Sequence, residues 1–141
     1  MILYEVMYVY DECDTPFGIG FFSSRENALA AIDQLSRKSG FCDSPEGFYS
    51  MRREITCTCC PEIIYEALIY FHTEDFNLDY GERLGLFLKR EDAVAAVEAY
   101  HKDNPQLIPN VEAERAVNRW IIDQADFAEG FIKGEWYDTE I

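Results

Sequence analysis

Three of the chain's five cysteines fall within four residues, Cys57-Thr58-Cys59-Cys60. Thiolates this close together can hold zinc or copper(I). Tetrahedral zinc ordinarily draws on two ligand pairs, each spaced by about two to four residues. Here the other soft ligands, Cys13, Cys42, His72 and His101, are scattered singly. The cluster therefore reads first as a seam strand with small apolar thiols, some of them buried. On that reading no metal and no cofactor is resident, and Cys57, Cys59 and Cys60 are the only metal candidates. Neither histidine neighbours a serine or cysteine in a nucleophile arrangement. Both read as element ends, with His101 suited to a helix C-terminus.

Carboxylates give the second candidate chemistry. Glu5 and Glu66 each interrupt an apolar run. Brought together, they would make a carboxylate pair of the kind used in acid–base work. The simpler expectation is a solvated or half-covered sheet face beside Tyr4 and Tyr65. Arg25-Glu26 and Arg90-Glu91 also recur, in positions that suit the first turn of a helix, where glutamate meets unpaired N–H groups. Ser23 and Glu26 have the spacing of a capping box. The chain contains no P-loop, dinucleotide-binding glycine pattern, HExxH, GxSxG or EF-hand loop. No catalytic or cofactor-binding residue is assigned, and the chain reads as non-enzymatic.

These residues sit in an internal repeat. Ile2, Tyr4 and Glu5 match Ile63, Tyr65 and Glu66. Gly20, Phe22, Arg25, Glu26, Ala28, Ala30 and Ala31 match Gly85, Phe87, Arg90, Glu91, Ala93, Ala95 and Ala96. The second offset is four residues longer, which places an insertion in the polar loop 73–82. Each half predicts strands near 2–10 and 63–71, rich in Tyr, Ile, Val and Phe. Second strands follow near 17–22 and 84–88. Helices come next, with Ala28, Ala31, Ile32 and Leu35 on one stripe and Ala93, Ala96, Val97 and Tyr100 on the other. Third strands are expected near 47–56 and 119–125, the latter after a helical turn near 111–117. An extra strand is expected near 130–137. The fold class is α+β: a tandem β-β-α-β duplication forming one pseudo-twofold body with an extra C-terminal strand. The first repeat covers 1–61 and the second, with that strand, 62–141. Each copy alone would bury too little surface to be robust.

The strand Tyr4-Glu5-Val6, Gly20-x-Phe22-Ser23-Ser24, the helix Glu26-Asn27-Ala28-Leu29-Ala30-Ala31-Ile32, Gly40-Phe41 and Pro45-Glu46-Gly47-Phe48 resemble small bacterial ββαβ proteins of unknown function. Ala128-Glu129-Gly130-Phe131 looks like the closing strand of those proteins. The resemblance covers most of the chain and rests on turns, caps and core positions. It implies a fold and no catalytic residue. A looser likeness connects the chain to the acidic immunity proteins of bacterial toxin systems.

Composition bounds the partners. The chain has 141 residues, 48% apolar and 15% aromatic, which is too apolar for a disordered acidic tail. Its net charge of −15 disfavours nucleic acid and anionic membranes. No apolar run is long enough for a membrane-spanning helix. Met1–Val6 has no basic region and meets Glu5 early, which is unlike a secretory signal. With an odd number of cysteines, the expectation is reduced thiols in a cytoplasm. Residues 1–62 hold 10 acids against 5 bases, and 63–141 hold 17 against 7. The charge suits a protein-binding module that steers a basic partner, as an immunity or antitoxin protein would. The alternative is a regulatory domain that binds a small molecule at the seam between repeats. Edge strands leave room for a homo-oligomer.

Overall fold

The β-branched and aromatic runs of each half form strands, and the alanine-striped segments form helices. The computed structural model describes residues 1–10, 16–73, 78–104 and 113–131, with only the backbone of 70–73 and 78–81. In chain order come β1 (Ile2–Tyr8), β2 (Phe17–Phe22), α1 (Arg25–Leu35), a 3-10 turn (Pro45–Gly47) and β3 (Phe48–Glu54). Then follow β4 (Ile63–Thr73), β5 (Leu78–Phe87), α2 (Arg90–Asp103), a 3-10 turn (Ala113–Ala116) and β6 (Val117–Ile121). The described residues are α+β, with two helices and two three-stranded antiparallel sheets, ordered β2-β1-β3 and β5-β4-β6. The chain divides into two units: Met1–Thr58 with Ile122–Ile141, and Cys59–Ile121. No helix among the described residues is long and apolar enough to cross a membrane.

In the first unit a bulge sets which side chains reach the core. Tyr4 lies opposite Phe22 and Tyr8 opposite Phe17, with a register shift after Val6. Phe22 lies five positions after Phe17, so strict alternation would place them on opposite faces. The extra residue in β2 restores the parity. Phe17, Ile19 and Phe22 therefore all join Val6 and Tyr8 under Ala28 and Leu35 of α1. Leu3 and Glu5 occupy the other face of β1 and are buried there as well.

Residues 122–131 return to this first unit as a strap. Asp123 N–H donates to the Phe21 carbonyl (2.8 Å) and Asp126 N–H to the Ile19 carbonyl (2.7 Å). These bonds cap the outer edge of β2, which would otherwise present unpaired backbone groups. Phe131 then packs edge-on against Phe41 at 4.8 Å and Phe17 at 5.6 Å, and against Tyr8 and Tyr10. Its N–H donates to the Ser39 carbonyl (2.8 Å). Gly40 and Gly130 permit this seat. Both have positive φ, 85° and 87°, and a Cβ on either would collide with the other segment's backbone.

The second unit pairs its strands in the same order, and the core among its described residues is rich in small side chains. Tyr65 lies opposite Phe87 and Ala67 opposite Gly85, with a register shift after Ala67. Its buried cluster is Ala67, Ile69, Ala93, Val97 and Ala116. Tyr65, Leu84, Phe87 and Tyr100 pack against this cluster as half-buried residues.

Several expectations are corrected. The stretch 73–82 is not one polar loop: β4 and β5 extend into it, with Thr73 paired to Leu78, because Leu78 and Tyr80 continue the alternation. The third strand near 119–125 ends at Ile121, where Asp123 takes positive φ (67°) and turns the chain. Of the expected strand near 130–137, Gly130 and Phe131 are irregular, and 132–137 lie outside the described residues, as do Cys13 and residues 111–112 of the expected helical turn. The cap of α1 is Ser24, whose hydroxyl accepts from Asn27 N–H at 3.1 Å. Ser23 does not form the capping box, because its hydroxyl and N–H bind Asp123 instead.

Candidate functional site

The two central-strand carboxylates are buried, whereas a solvated or half-covered face was expected of them. Glu5 is 2% exposed and Glu66 5%. Burying a carboxylate requires a counter-charge or several donors. Arg53 Nε of β3 donates to Glu5 Oε1 at 2.9 Å. Arg83 of β5 donates through both Nε and its terminal nitrogen to Glu66 Oε2, the Nε bond being 2.7 Å. Trp120 Nε1 (3.0 Å) and Asn118 Nδ2 (3.3 Å) of β6 donate to the other oxygen. The charged and polar donors occupy the carboxylate oxygens and tie the middle strand to its neighbours, which is an anchoring arrangement. Burial raises the Tyr49 phenol, and the negative charge of Glu5 adds to that.

The start of α1 carries a second polar constellation. Asp123 Oδ1 accepts from Ser23 N–H (2.8 Å) and Asn27 Nδ2 (3.2 Å), and Oδ2 from the Ser23 hydroxyl (2.6 Å). Burial alone would raise this carboxyl. The bonds from the Ser23 hydroxyl, Ser23 N–H and Asn27 outweigh it, and the carboxyl sits below its ordinary range. An open groove of about 440 Å³ runs from here along α1. Phe22, Ala31 and Leu35 line it from the body of the unit, with Ala125 and Ala128 on the strap and Lys38 also at its wall. Leu29, on the same helix, is 52% exposed. Beyond Asp123 the strap presents Asp126 and Glu129 on its exposed surface, and burial on one side raises the Asp126 carboxyl. Nothing in the sequence pattern placed these residues beside α1, since the strap comes from the far end of the chain.

The remaining candidates are dispersed. The segment 55–62, which holds Cys57, Cys59 and Cys60, is irregular with a bend at Thr58–Cys59. The expected seam strand is absent there, because Ile55 ends the β3 pairing by bonding Met1. Cys59 and Cys60 are exposed and Cys57 is half-buried. Cys42 is exposed on the turn after α1, its thiol 4.0 Å from the Asp43 carboxylate. Among the described residues no three His, Cys, Asp or Glu side chains are assembled for a metal ion. His101 lies in the last turn of α2, as expected, and its Nε2 is buried without a hydrogen-bond partner among the described residues. The side chain of His72 lies outside the described residues. Glu26 and Glu91 occupy the first turns of α1 and α2, which suits the helix dipole.

No protein-family model, curated protein or solved structure matches the chain.

Proposed function

We propose that this protein is a non-enzymatic binding module that engages a basic protein through its acidic surface. Its two halves are copies of one ββαβ unit. That duplication is supported by the shared strand order and by the bulges after Val6 and Ala67, each opposite a glycine, Gly20 or Gly85. An immunity or antitoxin role, neutralising a basic toxin, is the sharpest form of the proposal.

One observation carries the binding function. The acids inside the sheets are neutralised by arginines, whereas Asp126 and Glu129 on the strap are exposed, beside a groove of mixed apolar and polar lining. The first set stabilises the body, and the second remains available to steer a cationic surface. Exposed carboxylates on the strap supply long-range attraction, and Phe22, Ala31, Leu35, Ala125 and Ala128 in the groove supply a small apolar contact.

Pull-down from the native host at low and moderate salt tests the proposal. A basic protein should be retained at low salt and weakened at moderate salt. Asp126→Asn with Glu129→Gln should weaken its capture while leaving the fold intact. Recovery of no basic protein at either salt overturns the proposal.

A further inference from the structure

We propose that β3 is the surface through which a second copy of this chain pairs, strand against antiparallel strand, with Arg52 of each copy facing Glu54 of the other. The two outer strands of the first sheet end differently. The strap caps β2, whereas no strand lies beyond β3 among the described residues. The β1–β3 ladder determines which backbone groups are left open. The Met1 amino group donates to the Ile55 carbonyl (2.7 Å), and Ile55 N–H returns a bond to the Met1 carbonyl (2.8 Å). At the other end Val9 N–H donates to the Gly47 carbonyl (3.0 Å). In an antiparallel ladder such residues alternate with ones whose N–H and C=O point away from the partner. Tyr49, Met51 and Arg53 therefore turn their backbone groups to β1, and Ser50, Arg52 and Glu54 turn theirs outward. All three outward residues are exposed. An edge of this kind is a template for another strand.

Charge selects the occupant and the register. Charges of one sign protect an edge from its own copies, but this edge carries both signs. Arg52 and Glu54 are two positions apart and share a face. Among the described residues neither forms an ion pair. Pairing two β3 strands about a twofold axis at Arg53 sets each Arg52 directly opposite the other copy's Glu54. Both positions point their backbone groups outward, as a shared ladder requires. The pair on the axis, Arg53 with its copy, is already neutralised by Glu5 at 2.9 Å in each chain. An axis at Arg52 would oppose two like charges, which is destabilising. An axis at Met51 would set Arg52 against Ser50 and Glu54 against Phe48, leaving both charges unmatched. The corresponding outer strand of the second sheet, β6, has Arg119 as its single charged residue and cannot match charge with its own copy. Pairing through β3 joins two three-stranded sheets into one of six strands, with a strap at each outer edge.

The test is sedimentation velocity of the reduced full-length chain over a dilution series. Moderate salt screens the repulsion between two copies of charge −15. The wild-type chain should pass from dimer to monomer on dilution. Arg52→Glu and Glu54→Arg should each weaken the dimer at least about tenfold, because two attractive cross-strand pairs become repulsive. The combined Arg52→Glu/Glu54→Arg variant should return to within about threefold of wild type, since the pairs are again of opposite sign. In the wild type, amide hydrogen exchange at Ser50, Arg52 and Glu54 should slow as the dimer forms, a readout that needs no variant. The proposal is overturned if the wild type is monomeric at every concentration, or if either single variant dimerises as well as the wild type. It is equally overturned if the double variant stays as weak as the singles, or if the three amides exchange at one rate in monomer and dimer.

Discussion

Glu5 and Glu66 occupy matching places in their sheets, yet they are neutralised from opposite sides. In the first unit the cation is Arg53 on β3, directly across from Leu3. In the second unit the corresponding place, across from Ile64, holds Trp120, and the cation is Arg83 on β5. The place on β2 that corresponds to Arg83 is Gly18, across from Met7. The arginine thus sits on one flanking strand in one sheet and on the other in its counterpart. A buried carboxylate in the middle strand demands a positive partner, and either neighbour can supply it.

The largest expected effect probes the second sheet. Arg83→Met should cost about 4 kcal/mol in urea denaturation, because it leaves Glu66 buried without its charge partner. Combining it with Glu66→Leu should recover most of that loss, since two apolar groups replace the pair. A loss well below 1 kcal/mol for the single variant would mean that Trp120 and Asn118 suffice, and the comparison would lose its electrostatic basis.

Phe131→Ala sharpens the contrast between the cores. It removes a ring from the aromatic cluster of the first unit, whereas the buried cluster described in the second unit is Ala67, Ile69, Ala93, Val97 and Ala116. The expected loss is about 3 kcal/mol. Hydrogen exchange should accelerate in β1, β2 and α1 and leave β4, β5 and α2 unchanged. Acceleration spread equally over both sets would contradict separate cores.

The helix starts differ in the same manner. Ser24 caps α1 with its side chain, whereas α2 begins at Lys89 with no side-chain cap. Ser24→Ala should cost about 1 kcal/mol, and Lys89→Ser should add roughly 0.5 kcal/mol. Thermal denaturation of the two variants reads both signs.

The smallest effect concerns the strap. Asp123 titrates below its ordinary range in the folded state, so its stabilising contribution is complete above the unfolded pKa of about 3.9. That contribution is lost as pH falls through the lower folded value. The Ser23 amide resonance should follow this titration with a midpoint below that of an unperturbed aspartate. A midpoint at or above the ordinary value would remove the clip from the account.

Much of the fold was legible from periodicity. β2 spans Phe17–Phe22, the range expected from the sequence, and the alanine stripes locate both helices. The buried state of Glu5 and Glu66 was not legible. A single acid in an apolar strand has the same local pattern whether its face is wet or covered, and its arginine lies 48 or 17 residues away. The strap was illegible for a related reason. Ala125, Phe127 and Phe131 give no regular period, and their partners lie about a hundred residues upstream, as the Ser23–Asp123 bonds do. The cysteine motif was visible at once, but its exposure depends on β3 ending at Glu54, two residues before the expected boundary.

The central claim is that a buried carboxylate at this place needs an arginine and is indifferent to which flanking strand provides it. Urea denaturation of Arg53→Leu and of Gly18→Arg/Arg53→Leu tests it directly. Gly18 has no positive φ, so a side chain fits its backbone. Arg53→Leu should lose about 2 kcal/mol, less than Arg83→Met because Arg53 is the more exposed of the two arginines, at 37% against 25%. The double variant should regain at least half of that loss. A double variant that folds but is no more stable than Arg53→Leu would contradict the claim.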